Sequence, residues 1–212
     1  NGDIGILQQQ FAAAAQGDVT QYDHEVANST RRATLGLVCT GAAGVWFSVK
    51  CSRTGYTMSN PFWDYSLATY GLDGVANNCL VLQDRFGLDV NLLLYAAWLA
   101  NMDTRLDGEH LAAVEAEIAD WRDQVVKPLR ALRRQLPDHA RAAYVREEIK
   151  GLELRVEQQQ QDLMFACFQQ SGDLPRSPRP LRANLVLVAQ FASPQDAGWE
   201  LPIDRLVTQF PL

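Results

Sequence analysis

The stretch that decides the fold is residues 89–102, which read DVNLLLYAAWLANM. Asp89 is a residue type favoured at helix N-caps, and the positions after it are apolar on almost every face of a helix. A helix without a polar face has to be surrounded by other helices, because any side left in water would expose apolar surface. The stretch therefore predicts an all-α protein built around a central helix over residues 90–102.

Two shorter helices are predicted immediately before this central helix. Pro61 suits a first helical turn, and Gly71 ends the apolar pattern that follows it. A second pattern runs from Val75 to Gly87, and glycine is the residue type that most often follows a last helical turn. The bundle is therefore expected to contain three shorter helices.

Two long helices that form an antiparallel hairpin are predicted next. Asp107 caps the first, Pro128 predicts a kink near residues 124–125, and Pro137 with Asp138 separates the two. The apolar positions of both helices recur at gaps of three and four, close to a heptad seam. They are Leu111, Val114, Ile118, Trp121, Val125, Leu129, Leu132 and Leu136 in the first helix, and Val145, Ile149, Leu152, Val156, Leu163 and Ala166 in the second. We expect the three shorter helices to pack on this hairpin.

Composition argues against several classes of protein. The 212 residues carry a net charge of −6, whereas a general nucleic-acid binder needs a basic surface. The four cysteines are widely spaced without a CxxC pair and the three histidines lie far apart, which argues against a zinc site. No apolar run reaches the roughly 20 residues that span a bilayer. No P-loop, GxSxG or HExxH motif is present, so the sequence names no catalytic residue, metal ligand or cofactor and favours a protein that is not an enzyme.

Charge and periodicity divide the chain into three unequal parts. Residues 1–57 and 171–212 each carry four acidic and four basic side chains, so the whole net charge falls on residues 58–170, the predicted helical domain. The first part has no sustained apolar period. We expect it to be a poorly ordered tail or an extension of the gene model, with Met58 as the natural start. The last part predicts a proline-rich linker followed by short helices.

The densest polar group among the apolar helices lies in residues 83–91, where one predicted helix ends and the next begins. Gln83, Asp84, Asp89 and Asn91 could converge there across a tight turn. One interpretation is a small-molecule or metal site. The other is helix capping, in which Asp89 satisfies exposed backbone N–H groups and the amides bond within the turn. Capping is favoured, because no histidine or second carboxylate of clear role lies nearby.

Basic side chains gather in the second half of the first long helix, at Lys127, Arg130, Arg133 and Arg134. A phosphate or nucleic-acid site is one interpretation. A solvated hairpin is favoured, because acidic side chains crowd the first half of the same helix and this order complements the helix dipole. The glutamine run at residues 158–161 is likewise interpreted as a solvated helix face.

The histidines and tryptophans have simpler interpretations. His110 and His139 lie at predicted helix starts, and we expect both to be exposed. Trp63, Trp98 and Trp121 lie at the spacing of core positions. They are interpreted as core residues, and Trp63 is also kept as a candidate ligand contact together with the polar turn.

Several short strings resemble a family of small proteobacterial proteins, the domain of unknown function numbered 2390. The strings are PFWDYSL at 61–67, LQD at 82–84, GLDVNLLL at 87–94, WR at 121–122 and VVKPLR at 125–130. The resemblance covers residues 58–170. It implies a bacterial, cytoplasmic, helical protein, and it brings no activity with it.

Two functions remain open at this point. The favoured one is a non-enzymatic protein-interaction or adaptor module, because a long hairpin presents more apolar edge than three short helices can cover, and such an edge invites a partner protein or a second copy. The alternative is a small-ligand binder or enzyme that uses the polar turn. Its candidate residues are Trp63, Gln83, Asp84, Asp89, Asn91, Arg130 and Arg133. This alternative gains if Gln83, Asp84 and Asn91 line a concavity near an arginine, and it loses if they only cap helices.

Overall fold

The computed structural model describes residues 60–136 and 140–211, and every named element in them is helical. The all-α prediction is confirmed. In chain order the elements are α1 (Pro61–Tyr70), α2 (Val75–Phe86), α3 (Val90–Asn101), α4 (Gly108–Trp121), a π-helical segment (Arg122–Val126), α5 (Lys127–Gln135), α6 (Ala140–Gln170), α7 (Leu181–Ala192) and α8 (Glu200–Gln209). None of the helices in this part of the chain is long and apolar enough to cross a membrane. The predicted tail, Met58, His139 and the break between the two long helices lie outside the described residues.

Local capping signals set the helix ends where the sequence predicts them. The Asp89 carboxylate accepts a hydrogen bond from the backbone N–H of Asn91 at 2.8 Å, and Asp107 accepts one from His110 at 2.8 Å. Gly87 ends α2 with a φ of 71°, in the left-handed region that favours glycine. These ends hold the tight turn between α2 and α3 that carries much of the site described below.

Helix α3 is buried along almost its whole length. Every residue from Asn91 to Ala100 is buried, and the helix contacts α1, α2, α6 and α7. The Trp98 ring packs against Phe62 and Phe168, with ring centroids 5.4 and 4.9 Å apart. The apolar surface on every side of α3 explains this arrangement, because each neighbouring helix removes a further part of it from water.

Helix α4, the π-helical segment and α5 run on as one long arm that packs against α6. Pro128 has no backbone N–H to donate, so an interruption of the helical hydrogen bonds is expected before it. The π-helical segment is that interruption. A π turn carries more residues than an α turn, so the side chains beyond it are rotated relative to a continuous α-helix. Val126 is buried in place of Val125, and Leu132 is 47 % exposed. The apolar seam predicted for this half of the arm is therefore wrong at Val125 and Leu132.

The α6 arm also departs from the predicted seam. Val145 and Leu152 are 46 % and 39 % exposed. Ile149 and Val156 are buried as predicted. Further inward positions belong to polar side chains, namely Glu153, Glu157, Gln160 and Gln161, each 5 % exposed or less. The solvated face predicted for residues 158–161 is therefore wrong for two of its four glutamines. They lie inside because the facing helices supply polar partners for them.

His110 is 7 % exposed, so the prediction that it lies in solvent is wrong. Its Nε2 lies 2.7 Å from the hydroxyl of Tyr95 on the buried helix α3, and the two rings stack with centroids 5.9 Å apart. Burial lowers the pKa of His110, and the nearby Asp107 carboxylate offsets only part of this shift. The neutral imidazole is therefore the form that the fold favours.

This lowered pKa predicts a loss of stability in mild acid. Below its usual pKa of about 6.5, an unfolded histidine binds a proton that the buried one resists, so the free energy of unfolding falls as the pH drops from there toward the folded-state pKa. His110→Gln keeps a side chain that can bond to Tyr95 and removes the titration. Urea unfolding at pH 7.5 and pH 5.5 should show a smaller loss for the variant than for the wild type. Equal losses in the two proteins would contradict the buried, neutral histidine.

Helices α7 and α8 follow a stretch without helix, residues 171–180, and pack back onto the rest of the molecule. Helix α7 lies along α3, and α8 lies against α2 and α7. The fully buried Asn184 amide of α7 donates to the carbonyls of Ala96 and Thr104 at 3.1 and 3.0 Å. This anchoring positions the end of α7, including Phe191, beside the turn between α2 and α3.

Candidate functional site

A cleft of about 420 Å³ opens between the α2–α3 turn, the α4–α5 arm, α6 and the end of α7. We call it the polar cleft. Its polar lining residues are Gln83, Asp89, Asn91, Glu115, Arg122, Lys127, Arg130 and Gln160. Its apolar lining includes Leu88, Leu92, Val126 and Phe191. The cleft thus joins side chains that lie far apart in the sequence.

The turn between α2 and α3 supplies one wall of the polar cleft. Gly87 lets the chain reverse at once, so Gln83 in the last turn of α2 and Asn91 in the first turn of α3 lie on the same cleft. Asp89 lies between them, where it both caps α3 and lines the cleft. The predicted convergence holds for these three residues, and only Asp89 serves as a cap in the predicted way.

The Arg130 side chain connects α5 with the two neighbouring helices, α2 and α6. Its Nη1 donates to the Gln83 side-chain oxygen at 2.6 Å, its Nη2 donates to Glu157 at 2.6 Å, and its Nε donates to Glu153 at 3.3 Å. Arg133, 4 % exposed, donates to the second oxygen of Glu153 at 2.6 Å. We call Arg130, Arg133, Glu153 and Glu157 the buried charge cluster. It holds two positive and two negative groups, so the solvated-hairpin interpretation is wrong for these two arginines.

The charges of this cluster depend on one another. Burial raises the pKa of Glu157, and the nearby Arg130 guanidinium offsets only part of that shift. Burial by itself lowers the pKa of Arg130, but the charges of Glu157 and Glu153 and the hydrogen bond to Glu157 outweigh it, so the net shift is upward. Arg130 therefore stays charged at every physiological pH, which makes it a fixed positive group at the base of the polar cleft.

Side-chain amides on α6 orient the groups on the turn. Gln160 donates its Nε2 hydrogen to Asp89 at 2.9 Å, and Gln161 donates to the Asn91 side-chain oxygen at 2.7 Å. Both glutamines are fully buried, and the Oε1 atom of each has no hydrogen-bond partner among the described residues. Buried polar atoms are usually satisfied, so these two oxygens are exceptions in a network that is otherwise paired.

The α4–α5 arm places two more positive groups on the rim. Arg122, in the π-helical segment, pairs with both oxygens of Glu115 at 2.7 and 2.6 Å and lies 3.6 Å from Asp89. Lys127 pairs with Asp123 at 2.8 Å, and both of these side chains are more than half exposed. Lys127 is therefore the positive group of the polar cleft that is least constrained.

A second, much smaller space lies directly behind the polar cleft. It holds about 10 Å³ and is lined by Tyr70, Gln83, Val90, Asn91, Leu94, Arg130 and Glu157. This is close to the least volume that accepts one water molecule. Three of its residues also line the polar cleft, so the two spaces share a polar partition.

The remaining sequence candidates do not meet at the cleft. Asp84 is absent from its lining, with a side chain 55 % exposed and 3.5 Å from Arg134. Trp63 is 8 % exposed within the apolar core. Arg133 does not line the cleft, and it donates a hydrogen bond to Glu153 behind it. The described residues contain no group of three or more His, Cys, Asp or Glu side chains that could hold a metal ion.

Sequence analysis missed several members of the site. They are Glu115, Arg122, Glu153, Glu157, Gln160 and Gln161. One signal was present: Glu153, Glu157 and Gln160 recur at gaps of four and three on the helix predicted to face Arg130 and Arg133. A polar stripe of this kind at helical spacing predicts a polar interface between helices as readily as a solvated face.

Comparison with known proteins identifies a family but no activity. Residues 61–164 match the model of a family described as "Protein of unknown function (DUF2390)", so this part of the chain is similar to that family. The resemblance inferred from the sequence strings is thereby confirmed. No curated protein and no solved structure matches the chain. All the polar lining of the cleft falls within the matched residues, whereas Phe191 lies beyond them.

Proposed function

We propose that this DUF2390 domain binds a small polar molecule in the polar cleft. The observation that carries the proposal is the convergence of eight polar side chains on one concavity of about 420 Å³. Small-molecule sites commonly occupy roughly 300–1,000 Å³ and combine apolar walls with a few well-placed polar groups. Gln83 and Asn91 line this concavity beside Arg130, as the ligand-binding hypothesis requires, although Asp84 does not.

The polar groups of the cleft are held in place before any ligand arrives. Gln83 is held by Arg130, Asn91 by Gln161, and Asp89 by Gln160. Ordering side chains is one of the main costs of binding, and a site whose side chains are already ordered avoids much of it. The network therefore supports recognition of a specific ligand.

Binding without catalysis is the form of the proposal that the contacts support. The two carboxylates of the cleft are each engaged, Glu115 with Arg122 and Asp89 with Gln160. Nothing in the lining supplies a serine, cysteine or histidine to act as a nucleophile or general base. We accordingly place the domain among ligand-binding modules rather than enzymes.

Blocking the cleft should abolish binding. Ala192 lies exposed on its rim, so Ala192→Trp should fill the entrance without disturbing the core. In a thermal-shift screen of polar metabolites against the full chain, at least one compound should raise the melting temperature by several degrees at saturating concentration, because a ligand that binds only the folded state stabilises it. Ala192→Trp should lose this shift.

The matched control is Ala68→Trp, which adds the same side chain to an exposed position on α1 outside the cleft lining. It should respond to the same compound as the wild type does. The proposal is wrong if no compound in the screen stabilises the wild type, or if Ala192→Trp responds as strongly as Ala68→Trp.

A second candidate function is interaction with another protein or with a second copy, in a bacterial cytoplasm as the family resemblance implies. It is favoured by four exposed apolar side chains of the hairpin, Leu132, Tyr144, Val145 and Leu152, with exposures of 39–74 %. Val145 and Leu152 lie seven residues apart and so share one face of α6. A protein surface of this kind is typical of interfaces. A sedimentation run in which the full chain is strictly monomeric, together with a pull-down that recovers no partner, would remove this candidate.

A further inference from the structure

We propose that the ligand of the polar cleft carries a carboxylate or phosphate group on a partly apolar body. This inference rests on the proposed function and names the chemical class that the cleft selects. It follows from which atoms of the lining remain available once the internal hydrogen bonds are counted.

The two side-chain amides of the turn between α2 and α3 use their acceptor oxygens within the protein. The side-chain oxygen of Gln83 accepts from Arg130, and that of Asn91 accepts from Gln161. Each amide nitrogen carries two N–H donors, and both of these hydrogen bonds use the amide oxygen rather than the nitrogen. The network therefore fixes both amides with their oxygens turned to the protein, which leaves donors for a ligand that is rich in acceptors.

The charges of the lining point the same way. Arg122, Lys127 and Arg130 line the cleft together with two carboxylates, Asp89 and Glu115. Glu157 and Glu153 balance Arg130 from behind the lining, and Glu115 pairs with Arg122, so Lys127 is the positive group that remains available to an anion. Asp123, the partner of Lys127, lies outside the lining, and this ion pair is largely exposed, so it contributes little. Lys127 can turn from Asp123 to an anion in the cleft at small cost. Charge-assisted bonds from guanidinium and ammonium groups to carboxylate or phosphate are among the strong ones.

The apolar side of the cleft completes the description of the ligand. Phe191 is 46 % exposed there, and Leu92 and Val126 lie in the same lining. An inorganic ion would leave this surface in water, whereas an organic anion would cover it. We therefore expect a flat or compact apolar body of the ligand to lie against Phe191 while its anionic group meets the donors.

The test uses three probes of similar size on the full chain: benzoate, phenyl phosphate and the neutral benzamide. With uniform ¹⁵N labelling, side-chain NH₂ signals report on Gln83 and Asn91 directly. Benzoate, phenyl phosphate or both should shift these signals in a saturable way that Ala192→Trp abolishes. Benzamide, which matches benzoate in shape but lacks its charge, should bind at least about tenfold more weakly. Which of the two anions binds more tightly identifies the group that the cleft prefers.

Variants of two lysines test whether a positive charge in the cleft, rather than the overall charge of the protein, attracts the anion. Lys127→Gln should weaken binding of the preferred anion about threefold to fivefold, as expected for one exposed ionic contact, and Lys127→Arg should restore it. Lys150→Gln removes the same charge from a position outside the cleft and should leave the affinity unchanged.

Three results would overturn the inference. Benzamide could bind as tightly as benzoate, Lys150→Gln could weaken binding as much as Lys127→Gln, or the anions could fail to bind in the cleft although the metabolite screen yields a neutral compound that does. In each of these cases the cleft still binds small molecules, and only the ligand class is wrong. If neither the screen nor the probes give binding that Ala192→Trp abolishes, the proposed function fails as well.

Discussion

Replacing Trp98 with alanine is expected to lower the free energy of unfolding by about 3–5 kcal/mol, the usual cost of truncating a buried tryptophan. Trp98 is 4 % exposed on α3 and contacts rings on two other helices, with Phe62, Phe165 and Phe168 at centroid distances of 4.9 to 5.8 Å. Phe62 belongs to α1 and the other two rings belong to α6, and α3 lies between these helices, so the cavity left by the variant has little chance to collapse. A typical domain has about 5–15 kcal/mol of stability in all, so the expected loss is a large share of it.

Urea unfolding of the full chain, followed by far-ultraviolet circular dichroism, measures the effect. Tyr144→Ala is the control, because it also removes an aromatic ring but from a side chain that is 74 % exposed. The control should stay within about 0.5 kcal/mol of the wild type. A Trp98→Ala protein that melts within a few degrees of the wild type would mean that α3 is not the centre of the core.

Replacing Glu153 with leucine is expected to be comparably damaging, at about 3–5 kcal/mol, because it removes one partner of a buried ionic group. Glu153 is 1 % exposed and receives hydrogen bonds from both Arg130 and Arg133. Leucine has a similar volume, so the variant tests the charge rather than the packing. It leaves the buried charge cluster with one positive charge in excess, and an uncompensated buried charge is costly.

A compensated double variant tests the cause of this loss. Arg133→Met combined with Glu153→Leu restores a neutral cluster and should be more stable than Glu153→Leu alone, since apolar replacements of a whole buried pair are often tolerated. Asp123→Asn, which breaks the exposed pair with Lys127, should cost no more than about 1 kcal/mol. If Glu153→Leu is as mild as Asp123→Asn, water reaches the cluster and the pair is not buried in solution.

The parts of this fold that the sequence predicts are those that depend on local signals. The N-caps at Asp89 and Asp107 and the glycine at Gly87 act on backbone groups within a few residues, so their effect can be recognised without the rest of the chain. Helix α3 is similar, because an apolar residue on every face requires burial whatever the neighbours are. These signals also located three of the candidate site residues on one turn.

The parts that could not be predicted depend on which side chains face each other. Gln160 and Gln161 lie inside because Asp89 and Asn91 accept their hydrogen bonds from about 70 positions away in the sequence. A run of glutamines does not reveal that such partners exist, and without them solvent is the better environment. The same holds for His110, whose burial follows from its bond to Tyr95.

Arg130 and Arg133 show how one local irregularity can hide a long-range contact. The heptad pattern predicts that Leu129 and Leu132 point toward α6, which would turn the arginines toward water. The π-helical segment rotates this part of the arm, so Arg133 becomes buried and Leu132 becomes 47 % exposed. Pro128 indicated that the ladder is disturbed, but a proline does not specify whether the helix bends or takes in an extra residue.

The π-helical segment Arg122–Val126 also makes the site depend on a residue count. Each residue of an α-helix turns the chain by about 100°, and the π-helical segment absorbs one residue more than an α-helix would hold over the same stretch. The loss of a single residue here would restore a continuous α-helix and leave Arg130 facing Gln83 and Glu157. A residue added between Lys127 and Arg130, where no π turn absorbs it, would instead swing the Arg130 guanidinium away from both partners by roughly 100°. A gene is therefore expected to tolerate the loss of one codon in the π-helical segment better than the gain of one codon just after it.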